Sequence, residues 1–183
     1  KYDVKKFYAP KVTNPSITFE KMVSSLVDKN LKINIINFNT NNINLGKNTY
    51  VSVLSPTENF YSDNLNEYSP IIKIQYLNTS FLFTGDAETS NENQLLSNNT
   101  NLHSDVLKIG HHGSDTSSSN NFLSTINPSF AIISVGKNNK YNHPNFSTLN
   151  SLKENNINYF RTDLDGTILC ISDGNKIKFK LYK

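Results

Sequence analysis

Two apolar segments of this chain each end at a glycine that is followed by candidate metal ligands. The first, residues 81–88, ends in Gly-Asp-Ala-Glu and contains Asp86; the second, residues 109–114, contains His111 and His112 in a Gly-His-His-Gly-Ser turn. The chain has 4 histidines, so this turn holds half of them. A carboxylate and an imidazole at the ends of neighbouring strands are what a hydrolytic metal site needs. The pattern therefore predicts a metal centre.

Length and composition bound the class of protein. At 183 residues the chain fits one domain or most of one. Its net charge of +3 permits an anionic substrate but does not require one, since nucleic-acid surfaces usually concentrate basic residues. The single cysteine, Cys170, excludes an internal disulfide and a thiolate zinc cluster, and its apolar surroundings favour a buried structural thiol. No apolar run approaches the roughly 18 residues that span a bilayer.

Alternating helical and strand patterns predict a mixed-sheet α/β domain. The predicted helices are 18–29, 90–96, 121–126 and 147–155. The predicted strands are 4–8, 31–37, 49–54, 71–76, 80–84, 106–109, 130–135, 158–161, 167–172 and 176–181. Residues 55–68 are polar and irregular, which predicts a loop of functional length.

Asp86, His111, His112 and His143 are the candidate catalytic residues, and each has a structural alternative. Asp86 would also serve as a helix cap after its strand, but a histidine ending the next predicted strand favours metal binding. A Gly-His-His-Gly-Ser turn is hard to explain by packing, and adjacency alone leaves open which of its two histidines is the ligand. His143 precedes Pro144, which favours an extended conformation there, although an ordinary exposed loop histidine would look similar.

Polar residues beside these candidates predict contacts with an anionic substrate. Ser114 begins a serine- and threonine-rich segment, residues 114–118, at the predicted start of the next helix. Backbone N–H groups at a helix start form a natural anion site, and the same residues also describe a well-capped helix. Lys140 adds positive charge near His143. Ser114, Lys140 and His143 are therefore the predicted substrate-binding residues.

Four motifs together resemble a known superfamily: Gly-Asp-Ala-Glu at 85–88, Gly-His-His-Gly-Ser at 110–114, Asn-His-Pro-Asn at 142–145 and Arg-Thr-Asp-Leu-Asp-Gly at 161–166. They resemble the later motifs of the metallo-β-lactamase superfamily, and more narrowly its ComEC/Rec2-like branch, associated with competence and DNA uptake. The superfamily's first signature, His-x-His-x-Asp-His, has no match in this sequence. The resemblance implies that residues 1–183 are the C-terminal portion of a single metallo-β-lactamase-like domain, an αββα sandwich of two mixed sheets whose N-terminal part is missing.

The same resemblance implies roles for individual residues. Asp86 matches the carboxylate that bridges two metal ions, and His111 matches the superfamily's last metal-binding histidine. His112 is then a supporting group or a substrate contact, and His143 binds phosphate or protonates the leaving group. Ser69 stands where many superfamily members have another histidine. The implied cofactor is zinc, two ions in the complete domain, with manganese as the other option.

For the branch, the implied reaction is phosphodiester hydrolysis of DNA by a metal-bound hydroxide, at the outer face of a membrane or after secretion. The implied partners are DNA or another phosphodiester and the missing N-terminal part of the same domain. Two alternatives stay open from the residues. One is a metallohydrolase acting on a small ester, lactone or phosphodiester, and the other is a catalytically incomplete half-domain that serves as a binding module.

Overall fold

The computed structural model describes residues 2–98 and 100–183, and its largest unit is a six-stranded sheet with helices against one face. The strands are β1 (Phe7–Ala9), β2 (Ile33–Ile35), β3 (Thr49–Ser55), β4 (Ile71–Tyr76), β5 (Thr79–Phe83), β6 (Val106–Lys108), β7 (Phe130–Ile133), β8 (Asn158–Arg161), β9 (Thr167–Ser172) and β10 (Ile177–Tyr182). The helices are α1 (Ile17–Asp28), α2 (Thr89–Ser97), α3 (Asn120–Ile126), α4 (Phe146–Glu154) and α5 (Thr162–Asp165), with 3₁₀ turns at Leu65–Tyr68 and Gly110–Gly113. No helix within the described ranges has both the length and the apolar character to cross a membrane.

The main sheet is mixed, and its strands lie in the order β3-β4-β5-β6-β7-β8. The pairs β3–β4 and β4–β5 are antiparallel, and β5 to β8 pair in parallel. Parallel neighbours need crossover connections, and the three helices α2, α3 and α4 supply them in turn. The carboxyl ends of β5 to β8 therefore lie at one edge of the sheet. The predicted α/β class and mixed sheet are confirmed.

The core lies between this sheet and its three crossover helices. Leu82, Leu107 and Ala131 are neighbours in register on β5, β6 and β7, and all three are fully buried. They share one buried cluster with Phe122 of α3 and Leu152 of α4. Each fully buried side chain of this size contributes about 1.5–3 kcal/mol relative to its exposed state. Packing on this face fixes the strand ends that carry the candidate site.

The opposite face of the sheet carries the β9–β10 hairpin. Phe179 of this hairpin packs against Phe130 and Phe160, with ring centroids 4.9 and 4.8 Å apart. Side chains alternate between the two faces of a strand, so these rings lie on the side away from the helices. Cys170 is half-buried in this layer, and burial raises the pKa of its thiol, as expected for a structural cysteine.

The predicted elements from β3 onward differ from the observed ones by one or two residues at their ends. The N-terminal predictions are less accurate. The strand predicted at 4–8 is observed at Phe7–Ala9, and the strand predicted at 31–37 is observed only at Ile33–Ile35. In the described part of the chain these two strands pair only with each other, through three residue pairs, so both are short. Helix 18–29 begins at Ile17, and its N-cap is Ser16, whose Oγ accepts from Phe19 N. The predicted loop 55–68 contains the 3₁₀ turn Leu65–Tyr68.

The motif at 161–166 forms a short, internally bonded turn around α5. Arg161 donates through Nε and Nη2 to the two carboxylate oxygens of Asp163, at 3.1 and 2.7 Å. Its backbone N–H donates to Asp165 Oδ2 at 2.9 Å. The hydrogen bonds and charge of Arg161 hold the pKa of the Asp163 carboxyl below its usual range. A structural turn therefore explains this motif.

Replacing the acidic partner should destabilise the fold in a pH-dependent way. Asp163→Asn should lower the free energy of unfolding by about 1–3 kcal/mol near pH 7, because Arg161 loses a charged, two-point acceptor. The pKa of Asp163 is lowered in the folded state, so its contribution is present above the usual aspartate pKa of about 3.9 and is lost as the pH falls through the folded-state pKa. Denaturant titrations from pH 7 into the acid range measure this, with exposed Asp28→Asn as the matched control. A deficit that stays constant at the lowest pH would contradict the ion-pair explanation.

Candidate functional site

The predicted site residues lie in consecutive loops at the carboxyl edge of the parallel strands. Asp86 follows β5, His111 and His112 follow β6, and His143 lies between β7 and α4. In open α/β sheets, ligands bind at this edge, outside the carboxyl ends of the strands. The fold thus brings together residues that are up to 57 positions apart in the sequence, since 143 − 86 = 57.

The turn Gly110–Gly113 holds both histidines in a left-handed backbone conformation. His111 has φ 44° and ψ 44°, and His112 has φ 57° and ψ 18°. A left-handed backbone conformation costs on the order of 1–3 kcal/mol for each residue other than glycine. Hydrogen bonds from His111 N to Gly85 O at 3.0 Å and from Ser114 N to His111 O at 2.9 Å hold the turn. Strain of this kind at adjacent imidazoles is typical of a functional site.

His112 is the histidine that faces Asp86. Its Nε2 lies 3.6 Å from Asp86 Oδ1, and its Nδ1 lies 2.6 Å from the backbone oxygen of Ser134. Because a carbonyl oxygen can only accept, Nδ1 of His112 is the donor in this bond, and in the neutral form of the ring Nε2 then carries the lone pair. A lone pair and a carboxylate at this separation repel each other unless a proton or a metal cation lies between them. The donor chemistry of this pair therefore fits a metal ion.

His111 faces a different carboxylate, that of Glu88. Its Nδ1 lies 3.4 Å from Glu88 Oε1 and 3.4 Å from Thr116 Oγ1. The Glu88 carboxylate also accepts from the side-chain amides of Asn64 and Asn66, at 3.0 and 3.1 Å. Glu88 is the second carboxylate of the Gly-Asp-Ala-Glu motif, and its position in that motif is the signal by which it could have been predicted as a site residue.

Asp86 is held by its backbone and is not a helix cap. Its N–H donates to Ser69 Oγ at 3.1 Å, and Gly85 before it has φ 56°. The N-cap of α2 is Glu88, whose N–H donates to Asn91 Oδ1 at 3.2 Å, so the capping alternative for Asp86 is wrong. Its half-buried carboxylate is left free to bind at the edge of the sheet.

His143 lies beside His111, with the ring centroids 5.7 Å apart and the rings at 67°. Its Nδ1 is buried and has no hydrogen-bond partner among the described residues. Burial, followed by the charges of His111 and His112, lowers the pKa of His143, so its ring is neutral at pH 7. A buried ring nitrogen without a partner among the described residues therefore lies next to the two other histidines.

Two of the predicted substrate contacts have different surroundings. Ser114 is buried, and its Oγ lies 3.1 Å from Thr116 Oγ1, so it supports the turn; its role in substrate binding stays a prediction. Lys140 is exposed, and its Nζ lies 5.0 Å from the ring centroid of Tyr141, which itself stacks on His143. Lys140 therefore lies at the rim of the site, where a charged substrate can reach it.

The predicted anion site before α3 is wrong, because an internal carboxylate fills it. The backbone N–H groups of Ser118 and Ser119 donate to the carboxylate of Glu92, at 3.0 Å from Ser119 N to Oε2. Glu92 is almost completely buried, and desolvation raises the pKa of its carboxyl. The serine-rich segment is thus a structural cap that joins α2 to α3.

The described residues do not by themselves form a complete metal site. No group of three or more His, Cys, Asp or Glu side chains within 2–98 and 100–183 is arranged to hold a metal ion. The structure offers two pairs instead, Asp86 with His112 and Glu88 with His111. Zinc sites in proteins use three or four protein ligands, so further ligands are needed to complete one.

Comparison with known proteins places this chain near competence proteins. It is 40% identical over 103 residues to ComE operon protein 3 of Bacillus subtilis, a match covering 56% of this chain and 13% of the relative. It is 38% identical over 116 residues to Competence protein ComA of Neisseria gonorrhoeae, covering 63% and 17%. Recombination protein 2 of Haemophilus influenzae is 38% identical over 103 residues, covering 56% and 13%. No family model matches the chain.

These matches confirm the likeness to competence proteins in the ComEC/Rec2 group. The matched segment is a small part of each relative, at most 17% of its length. The wider metallo-β-lactamase assignment stays a prediction.

The packing of Gly113 on Pro144 joins the histidine turn to the His143 loop and can be tested directly. A Cβ added at Gly113, which has φ 86°, would lie 2.6 Å from Pro144 Cβ. Gly113→Ala should therefore lower the free energy of unfolding by about 1–3 kcal/mol, through backbone strain and overpacking. The matched control is Gly136→Ala in the same loop as His143, where an added Cβ meets no described atom within 4 Å. Denaturant titrations compare the two variants, and equal stability would show that the contact between the loops is dispensable.

Proposed function

We propose that this chain is the catalytic part of a metal-dependent phosphodiesterase, a nuclease that acts on DNA during competence. The observation that carries the proposal is the pair Asp86 and His112. Their facing atoms are 3.6 Å apart, and the second His112 nitrogen is committed to Ser134 O, so a cation best satisfies both groups. Similarity to proteins named for competence and recombination supports DNA as the substrate.

The proposed fold is a metallo-β-lactamase-like αββα sandwich, of which residues 1–183 form the C-terminal portion. The mixed six-stranded sheet and its three crossover helices would be one half of the sandwich. The face away from the helices carries apolar side chains such as Phe83, which is 42% exposed. A second sheet packed on this face would bury them.

Two zinc ions, or manganese, are the proposed cofactor of the complete domain. Asp86 would hold the metals with His111, as the resemblance implies, and the geometry adds His112 and Glu88 as candidate ligands. Carboxylate and imidazole donors suit both metals. The remaining ligands would come from sequence outside these 183 residues. When bound, the metal supplies Lewis-acid polarisation of the phosphate and an activated water at neutral pH.

The residues of this chain would orient the phosphate and manage one proton. His112 donates its Nδ1–H to Ser134 O, which keeps the Nε2 lone pair directed at the site. In its neutral form, which burial favours by lowering its pKa, His143 would donate an N–H hydrogen bond to a phosphate oxygen; from its imidazolium form it would protonate the leaving oxygen. Lys140 at the rim would attract the anionic backbone of the substrate.

A binding module is the second candidate function. The observation that favours it is the lack of a three-donor metal group in the described part of the chain. On this view the 183 residues alone would bind a partner or a nucleic acid without hydrolysing it.

A metallohydrolase acting on a small ester, lactone or phosphodiester is the other alternative. Such an enzyme would use the same metal ligands, and only the residues at the rim of the site would distinguish its substrate.

Metal content tests the proposed centre. The full-length protein should contain about two zinc or manganese ions per chain by elemental analysis, and Asp86→Ala should lose them because a carboxylate that would hold the metal is removed. Asp115→Ala, which removes an exposed carboxylate beside the same turn, is the matched control and should keep them. Parallel His111→Ala and His112→Ala variants show which histidine is the stronger ligand. A metal-free full-length protein would refute the metallohydrolase and leave the binding module.

Turnover of the metal-loaded protein tests the role of His143. His143→Ala should lower the rate of DNA cleavage by about 10²- to 10⁴-fold, the range for loss of a general acid, with bound metal unchanged. His103→Ala is the control, because His103 lies before β6, with its Nδ1 3.1 Å from Ile126 O. Loss of metal from the His143 variant would contradict its assignment as a proton donor.

A further inference from the structure

We propose that Tyr141 is a stacking platform for an unpaired base of a single-stranded nucleic acid bound at the candidate site. This inference rests on the proposed function and deepens it, because it selects single strands as the substrate class. The residues that carry it are Tyr141, His143 and His111, whose rings follow one another outward from the site, with Asn139 and Lys140 in the same loop.

The rings of His111, His143 and Tyr141 contact one another in series. His111 and His143 have centroids 5.7 Å apart in an edge-to-face contact, and His143 and Tyr141 have centroids 5.7 Å apart with ring planes only 19° from parallel. The Tyr141 ring therefore continues a series of ring contacts that begins at His111, a candidate metal ligand, and it is stacked only on His143. A strand whose phosphate lies at His111 and His143 would bring a neighbouring base to the next ring of this series.

Hydrogen bonds of Asn139 hold the loop that carries the Tyr141 ring. The Asn139 amide donates to Gly136 O at 3.1 Å and to His143 O at 2.7 Å. Its Oδ1 accepts from Tyr141 N at 3.2 Å and His143 N at 3.0 Å. The half-buried side-chain amide of Asn139 thus fixes the backbone on both sides of Tyr141. A preorganised aromatic surface loses little entropy when a ligand binds to it.

The Tyr141 ring is exposed and lies in a basic segment. Tyr141 is 65% exposed, and its hydroxyl makes no hydrogen bond with any described residue. Residues 134–145 contain Lys137 and Lys140 and no acidic residue, and Lys140 Nζ lies 5.0 Å from the Tyr141 ring centroid. Exposed aromatic rings flanked by lysines are how proteins bind single strands without reading sequence.

Tyr61 shows the contrast with an exposed tyrosine that lacks these properties. It is 81% exposed, but its hydroxyl donates to Asp63 Oδ1 at 2.9 Å. A carboxylate beside the ring repels a phosphate backbone. Tyr61 is therefore a matched control, with the same side chain and similar exposure in an acidic setting.

The proposal predicts a preference for unpaired bases. In a duplex, each base face is covered by its neighbours, and a base must be unstacked before it can lie on a protein ring. Loss of one base–aromatic stack weakens binding of single strands by roughly 5- to 100-fold. Tyr141→Ala should show this loss, and Tyr141→Phe should retain near wild-type affinity, because stacking needs the ring and not the hydroxyl.

The experiment measures binding of fluorescent oligonucleotides to the full-length protein by polarisation, at one fixed salt concentration and with a chelator present to prevent cleavage. The probes are a ten-nucleotide oligothymidylate, the matching oligouridylate, the same deoxy strand with abasic sites, and a duplex. The proteins are wild type, Tyr141→Ala, Tyr141→Phe and Tyr61→Ala. Comparison of the thymidylate and uridylate probes distinguishes DNA from RNA as the source of the base.

The expected result is weaker binding of a base-containing single strand by Tyr141→Ala alone, with the abasic strand bound equally by all four proteins. Equal binding of every probe by wild type and Tyr141→Ala would overturn the proposal. So would an equal loss on the abasic strand, which would mean a backbone contact, or no binding of single strands by the wild type. If elemental analysis finds no metal in the protein before the chelator is added, Tyr141-dependent binding would refute the hydrolase and leave this inference standing. Normal cleavage by the metal-loaded protein with no effect of Tyr141→Ala on binding would overturn this inference and leave the hydrolase standing.

Discussion

Parallel pairing of β5, β6, β7 and β8 places four successive loops at one edge of the main sheet. Each pairing requires a crossover helix, and the helices bury the sheet face that carries Leu82 and Leu107. The candidate residues come from three of these loops, so their proximity depends on the burial of that face. A change that slipped one of these strands by one residue would turn its apolar side chains outward and disperse the site.

The backbone conformation of His111 and His112 determines which carboxylate each imidazole faces. Left-handed geometry at both His111 and His112 turns the adjacent rings in different directions, toward Glu88 and Asp86 respectively. In an extended segment, neighbouring side chains would point to opposite faces, and only one would reach the sheet edge. The strain in the turn is balanced by hydrogen bonds to Gly85 and Ser114. Two imidazoles therefore reach the site from consecutive positions.

Sequence patterns predicted the sheet better than the contacts at its edge. Strands β4 to β8 are apolar and bounded by turn residues, so their extents and the loops that hold Asp86, His111 and His143 could be read directly. The pairing of Asp86 with His112 could not, because it depends on φ angles that a histidine rarely adopts. The filling of the predicted anion site by Glu92 could not either, since that carboxylate is 26 residues from Ser118 in the sequence. The predicted ranges of β1 and β2 were too long, because apolar residues continue there although, among the described residues, each strand pairs only with the other.

Apart from His112, no basic side chain among the described residues forms an ion pair with Asp86. Lys108 is the nearby internal cation: burial lowers the pKa of its amine, and the Asp86 carboxylate opposes that shift. Its Nζ, however, donates to Ile109 O at 2.6 Å and forms no ion pair with Asp86 in the described structure. The lysine amine is therefore bound to the backbone and forms no ion pair with Asp86. Glu88 and His111 present a second carboxylate and imidazole 3.4 Å apart, where the same argument applies. This edge therefore presents two carboxylate–imidazole pairs and a His143 Nδ1 without a hydrogen-bond partner among the described residues, and the proposed metal centre depends on these groups.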